Sequence, residues 1–549
     1  EESEPDRTLA AFRANFDEGL FGVDVSDGIL PRLNFPDAAS EAAYFDAGNY
    51  EFDEFEVLNG LTQDDELAFT ANLRFDADLF GAPGYFQTGG KVRLRDKFYD
   101  VDIDVYDGFD GDDLLLSDFS TERDFRLDRI NPSVDPVAFN NFFAANAGLF
   151  ELNEVDSAIE SAAANYDAEE DIFAGYALAQ RQFGGRLNVI AGVRVEHTNY
   201  RATGNSVLTQ EFETSFAGDV TGTTDPNDVI PAPAIPGVLL AEEIEFEFDA
   251  DENETALEAV RVFSTPVEAR NSYTDVLPSV NAKLDVTDQV VARFGYYKSL
   301  ARPNIEAAAP RIAIEQGEEL AATVGNPNLD RQRAHNIDAT LEWYPGGTAL
   351  FSAGFFWKSI DGFIAPVQAS REINGVLFDE VSTFENLESA RILGFELTAQ
   401  RSLDFLPGLL DGFLVSANYT FIDSEATADG GREITLPGQS RNVVTGIIGY
   451  EKGPLNLRFA TTYRGDFLDE IGSSEDAAGD PLDRIVDAHV QLDVTGKYQL
   501  TDRFQIFAEA KNVNNRPFVA TVRPEGFGRL NSQFEEYGWS ARFGVQFVY

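Results

Sequence analysis

Residues 539–549 read Trp539-Ser540-Ala541-Arg542-Phe543-Gly544-Val545-Gln546-Phe547-Val548-Tyr549. Every odd position is apolar or aromatic, while Ser540, Arg542, Gly544 and Gln546 lie between them. Period two marks a strand with two unlike faces. The pattern runs to the last residue. Chain termini are ordinarily polar and frayed. An apolar face carried to that point suits a strand whose outer side meets lipid and whose ladder pairs on both edges. Phe543, Phe547 and Tyr549 are expected to face lipid, and Arg542 and Gln546 the interior. The competing reading is an edge strand of a soluble sandwich, which also has one apolar face.

The same alternation recurs upstream. Leu455, Leu457, Phe459 and Tyr463 oppose Asn456, Arg458, Thr462 and Arg464, and Val490, Leu492 and Val494 oppose Gln491, Asp493 and Thr495. Counting back to residue 60 gives about fifteen such strands, each near the 9–11 residues that a tilted spanning strand needs. A further strand is expected near Tyr50–Leu58. The connections alternate short and long. Phe183-Gly184-Gly185, Thr287-Asp288, Pro345-Gly346-Gly347 and Gly453-Pro454 make tight turns. Residues 99–165, 198–270, 299–333, 365–388, 422–440, 466–484 and 514–535 read as long loops. Alternating loop length decides between the two readings. It puts every tight turn at one end and every long loop at the other, as in an outer-membrane barrel. The fold class is therefore all-β, an antiparallel transmembrane β-barrel with about 15–16 recognisable strands. Arg93, Arg95, Arg181, Arg194, Glu196, Glu342, Glu396, Lys497 and Glu509 are expected on its inner face.

The chain has 549 residues and a formal net charge of -54, with 41 Lys and Arg against 95 Asp and Glu. Phosphate contacts need clustered basic residues, so no nucleic-acid partner is expected. Cys is absent, which removes disulfides, thiolate metal sites and cysteine nucleophiles. His197, His335 and His489 lack ligand spacing and read as isolated strand residues. No apolar run is long enough for a transmembrane helix, but barrel strands escape that criterion.

Several ordered pieces carry a family resemblance. They are Ser299-Leu300-Ala301-Arg302-Pro303-Asn304, Gly325-Asn326-Pro327-Asn328-Leu329, Ala334-His335-Asn336-Ile337-Asp338, Glu342-Trp343-Tyr344, Gly394-Phe395-Glu396-Leu397 and Ala510-Lys511-Asn512-Val513-Asn514. In this order they resemble the TonB-dependent outer-membrane transporters. Arg542, Gly544, Phe547 and Tyr549 fit the C-terminal signal read by the barrel assembly machinery. The resemblance implies a barrel of about 22 strands and energised uptake of a scarce, bulky nutrient such as an oligosaccharide or siderophore. It also implies TonB as a partner acting on an N-terminal plug, contact with outer-membrane lipid and lipopolysaccharide, and in some members a surface lipoprotein. Neither plug nor signal peptide is recognisable, so residues 1–549 read as the barrel portion of a longer protein.

Other readings stay open beside it. One is a passive, porin-like channel of about 16 strands closed by the first sixty residues. Another is a surface structural or adhesive barrel. For an uptake receptor, Arg302, Asn304, Asn326 and Asn328 are the candidate ligand residues. Their guanidinium and amide groups stand at the long-loop end and could bond sugar hydroxyls or an anion. The alternative is that Pro303 and Pro327 shape the loop while the polar groups cap turns. No cofactor is expected and no enzyme motif is present. Asp107, Asp110, Asp112, Asp113 and Asp118, or Asp249, Asp251 and Asn253, offer at most loose Ca²⁺ binding. Glu254 and Val260 stand where an EF-hand needs Gly and Glu.

Overall fold

The structure, a computed structural model, describes every residue except 1, 4–6, 17–19, 25–31, 80, 122–131, 218–236, 250–253, 316–320, 374–375, 428–430, 473–481, 524–528 and 548–549. Its main sheet holds 22 strands. Fifteen of them form one continuous antiparallel wall. In chain order these are β1 (Glu51–Leu79), β2 (Ala82–Phe109), β3 (Tyr166–Phe183), β4 (Leu187–Ala217), β5 (Glu254–Thr287), β6 (Val290–Ala301), β7 (Gln332–Trp343) and β8 (Leu350–Ile373). They continue as β9 (Val376–Ser402), β10 (Phe413–Thr427), β11 (Asn442–Lys452), β12 (Leu455–Arg464), β13 (His489–Thr501), β14 (Phe504–Lys511) and β15 (Ser540–Phe547). Each pairs antiparallel with the next. Consecutive antiparallel pairing puts the long connections at one end of the wall, where β8 also runs on into β9 with only residues 374–375 between them, and the remaining turns at the other. Gly184 and Gly185 make one such turn with φ of 56° and 75°, a region that Cβ-bearing residues avoid.

Alternation sorts the side chains onto two faces. Leu67 and Phe69 are each 69% exposed, Ile448 53% and Phe543 85%, all on the outer face. A soluble sheet does not leave such rows open to water, whereas a lipid-facing belt requires them. Between the rungs of Phe173 and Phe183, about ten residues at about 3.3 Å each, tilted about 40°, give a belt about 25 Å tall. Aromatics rim its short-turn margin, where Phe413 and Tyr450 meet edge to face at 4.9 Å and Trp343 and Phe351 stack. The inner face carries ion pairs. Arg93 meets Glu66 at 3.1 Å and Glu170 at 3.0 Å. Arg293 meets Glu342 at 3.0 Å, and Arg542 donates to Glu509 at 2.9 Å.

Phe543 and Phe547 are exposed on the outer face and Arg542 turns inward, while Tyr549 lies outside the described residues. Arg181 departs from expectation. Its position shares the parity of Phe173 and Phe183, and its guanidinium lies 4.3 Å over the Phe183 ring. A long cationic stem can lie along an apolar surface while its head reaches the interface, so an outer position near the belt margin is tolerated.

Two of the presumed long loops are largely strand. β1, β2, β4 and β5 run 29, 28, 31 and 34 residues, far beyond the belt. The strand expected near Tyr50–Leu58 runs on without a break to Leu79 as β1. Likewise β8 and β9 extend through most of 365–388. Glu2–Ser3 and Arg7–Arg13 add to the outer half of β1. Among the described residues β15 pairs only with β14, so the first and last wall strands do not close a ring on one another. This is not the pairing that the alternative of a smaller, porin-like barrel closed by the first sixty residues requires. An unpaired margin at belt depth costs several kcal/mol per backbone group.

Beyond the belt, the outer halves of β1 and β2 meet helices 136–146 and 154–164. A phenylalanine cluster of Phe12, Phe52, Phe55, Phe119, Phe139, Phe142, Phe143 and Phe150 forms a small core there. Carboxylates crowd beside it. Burial, then the hydrogen bond and charge of Glu56, pushes Glu54 up to about 7. Burial, then Glu56, Glu54 and Asp156, does the same to Glu160. A carboxyl whose folded-state pKa is raised costs the fold nothing below the unfolded value of about 4.3 and destabilises it progressively as pH rises through 7. Hydrogen exchange over residues 51–58 and 154–164, corrected for intrinsic rate, is therefore expected to show less protection at pH 8 than at pH 6. The Glu54→Gln variant should show a smaller difference.

Candidate ligand cavity at the long-loop end

The connection from β6 to β7 folds back against the inner wall. Pro303 lacks an N–H and ends the strand. Asn304 then caps the single turn Ile305–Ala308, accepting from the Glu306 N–H at 3.3 Å. Ile305 and Ala309 are buried against Tyr166, Ala168 and Ala202 of β3 and β4. The Tyr200 hydroxyl donates to the Ile305 carbonyl at 3.1 Å. The approach is close enough to require glycine twice. A Cβ on Gly204 would lie 2.4 Å from the Pro310 carbonyl oxygen, and one on Gly325 would lie 1.8 Å from that of Ala309.

Arginines clamp both ends of this connection. Arg302 donates to Glu196 at 2.7 Å and Thr198 at 2.9 Å, and stands 3.7 Å from Glu170. Arg331 reaches Asp275 at 2.8 Å and Asp330 at 2.6 Å, over the Tyr273 ring. Between the clamps, Ile312–Glu315 and Ala321–Val324 form a hairpin. Its second strand pairs parallel with Glu380–Ser382 of β9.

A cavity of about 560 Å³ opens between this hairpin, the outer arm of β8 and β9, and the segment Asp469–Ile471. Asn304, Glu306, Ala307, Arg311, Thr323, Val324, Gly325, Pro366, Val367, Ser382, Thr383, Phe384, Asp469, Glu470 and Ile471 line it. The Asp469 side is held by a separate four-stranded sheet. Phe467–Glu470, Arg484–Val486, Phe518–Val522 and Leu530–Glu535 come from two different connections and pair into it. Arg484 bonds Asp469 and Glu470. Apolar walls with a few placed polar groups are the usual build of a small-molecule site, which runs roughly 300–1,000 Å³.

Of the four candidate ligand residues, only Asn304 lines the cavity. Arg302 is turned into the wall. Asn326 donates to the Phe384 carbonyl at 2.9 Å and accepts from the Asn328 N–H at 3.0 Å, an Asx turn. Asn328 is exposed. Glu306, Arg311, Phe384, Asp469 and Glu470 carried no sequence signal, because three separate connections bring them together. Among the described residues no group of three or more acidic or imidazole side chains is placed to hold a metal ion. Asp251 and Asn253 lie outside the described residues.

The family model described as TonB dependent receptor-like, beta-barrel, matches residues 5–513. Among solved structures the chain is similar to the ferric-catecholate import receptor Fiu of E. coli K12. The TM-score is 0.52 at 13% identity, over 99% of this chain and 60% of that one. It is also similar to the outer-membrane ferripyoverdine receptor of Pseudomonas aeruginosa, with TM-score 0.50 at 13% identity, over 91% of this chain and 50% of that one. The chain thus spans about 60% of the length of the first. At such identities the likeness is one of fold alone. No curated protein sequence matches.

Proposed function

The chain belongs to the TonB-dependent receptor β-barrel family, and from that premise we propose that it supplies barrel wall and outer loops for energised uptake of a scarce, bulky solute. The family consists of outer-membrane transporters rather than enzymes. The observation that carries the proposal is the cavity at the long-loop end, built from three connections over an ion-paired inner wall. A solute captured there stands above the lumen. The tight turns face the opposite side, where TonB would act through a plug inside the barrel. The barrel assembly machinery and outer-leaflet lipid are partners on the same reading, with Arg542, Gly544, Phe547 and Tyr549 at the end of the chain as the assembly signal. An oligosaccharide or a siderophore would each suit a site of this kind.

Depletion of a complex growth medium by cells tests this. Cells lacking the protein and cells lacking TonB should leave the same bulky solutes unconsumed, while small sugars and amino acids disappear normally. Depletion that depends on the protein but not on TonB would favour the passive channel instead.

A further inference from the structure

Resting on the uptake reading above, we infer that the cavity takes an uncharged or cationic, partly apolar solute and turns away anionic metal chelates. Among the described residues four charged side chains line it. Three are carboxylates, Glu306, Asp469 and Glu470, and one is the guanidinium of Arg311. Arg311 is already paired within the lining. It bonds Glu306 at 2.6 Å and lies 5.8 Å over the Tyr166 ring. Beside the lining, Arg484 is paired with Asp469 and Glu470, and Arg371 with Glu385. None of these arginines offers an open fork of the kind that carboxylate and phosphate recognition uses.

The acids keep their outward side. The Glu470 side chain is 58% exposed and that of Glu306 46%. Phe384 and Ile471 supply apolar surface between them. The wider field has the same sign. The ranges 99–165, 198–270, 299–333, 365–388, 422–440, 466–484 and 514–535, which build this end, hold more than half of the chain's Asp and Glu but fewer than half of its Lys and Arg. A concave site whose lining carries an excess of one sign of charge, with low-dielectric walls, focuses that field on whatever enters. A multiply charged anion meets repulsion at the mouth and again at the lining. An uncharged or cationic ligand finds hydrogen-bond acceptors and apolar contact.

The test uses the full-length protein in lipid nanodiscs and two ferric chelates of similar size, an uncharged tris-hydroxamate and a trianionic tris-catecholate. Equilibrium dialysis at low salt should show the uncharged chelate bound at least about tenfold more tightly. The difference should shrink in about 0.5 M salt, where screening acts within about 4–5 Å. Combining Glu306→Gln, Asp469→Asn and Glu470→Gln should also narrow it. The salt series on the unaltered protein reads the same sign without any substitution. Equal or tighter binding of the trianion at low salt overturns the inference while leaving uptake standing. If neither chelate nor a cationic amphiphile of that size binds, the cavity is not a receptor site, and the inference falls with it.

Discussion

Val193→Arg is expected to destabilise the assembled protein by about 2–4 kcal/mol, the cost of a cationic side chain near the bilayer midplane on a barrel's lipid face. Val193 is 41% exposed. It sits on the rung Ala177–Val193–Pro278, midway between the rungs of Phe173 and Phe183. In a soluble sheet, exchanging a half-exposed valine for arginine changes stability by about 0.5 kcal/mol or less. The two environments therefore predict effects that differ several-fold. Urea titration of protein refolded into lipid vesicles measures the effect. Leu149→Arg, at an exposed site beyond the belt, serves as the control and should be nearly silent. A Val193→Arg variant as stable as the parent would remove lipid from the outer face.

Arg302→Ala is the second large effect, of the order of 3 kcal/mol. The Arg302 side chain is 18% exposed, and it faces Glu196 and Glu170 at 13% and 7%. Removing it takes away one partner from each of two nearly buried carboxylates, leaving Arg194 beside Glu196 and Arg93 beside Glu170. It also releases one end of the connection 302–331. Urea titration should show the lost stability, and limited proteolysis should cut within that connection in the variant but not in the parent. Arg302→Lys keeps the charge but loses the bidentate fork, so it should fall between the two. An unchanged cleavage pattern in Arg302→Ala would mean that the arginine does not hold the connection in place.

How far the sequence could be read follows from where water is. Within the belt one face meets lipid and the other the lumen, so Leu455–Arg464 and Phe504–Lys511 show clean alternation and fall close to their expected bounds. Outside the belt both faces can be polar, and alternation loses its meaning. The outer half of β5 and strand Val238–Asp249 pair for many residues, yet their acidic composition reads as loop. Ile244 and Phe246 do alternate with Glu243 and Glu245 there, and pack on buried Leu257. The helix 136–146 shows little amphipathic pattern because its exposed side carries Val137, Ala144 and Ala145 and no charge, while its other side packs on phenylalanines. The cavity was illegible for a different reason. Asn304, Phe384 and Asp469 are far apart in sequence, and only the pairing of separate connections brings them to one wall. Proline and asparagine near residues 303 and 326 signalled turns correctly, and turns are what they build.

The central claim is that one face of this wall lies in hydrocarbon and the other does not. The absence of cysteine makes single-cysteine spin labelling clean. Labels placed singly at residues 190–196 of β4, in the outer membrane, report access to dissolved oxygen and to a polar nickel chelate. The account predicts oxygen access with period two, with maxima at 191, 193 and 195 and little access for the nickel chelate there. Maxima for the nickel chelate at those same positions, or oxygen access without alternation, would contradict it.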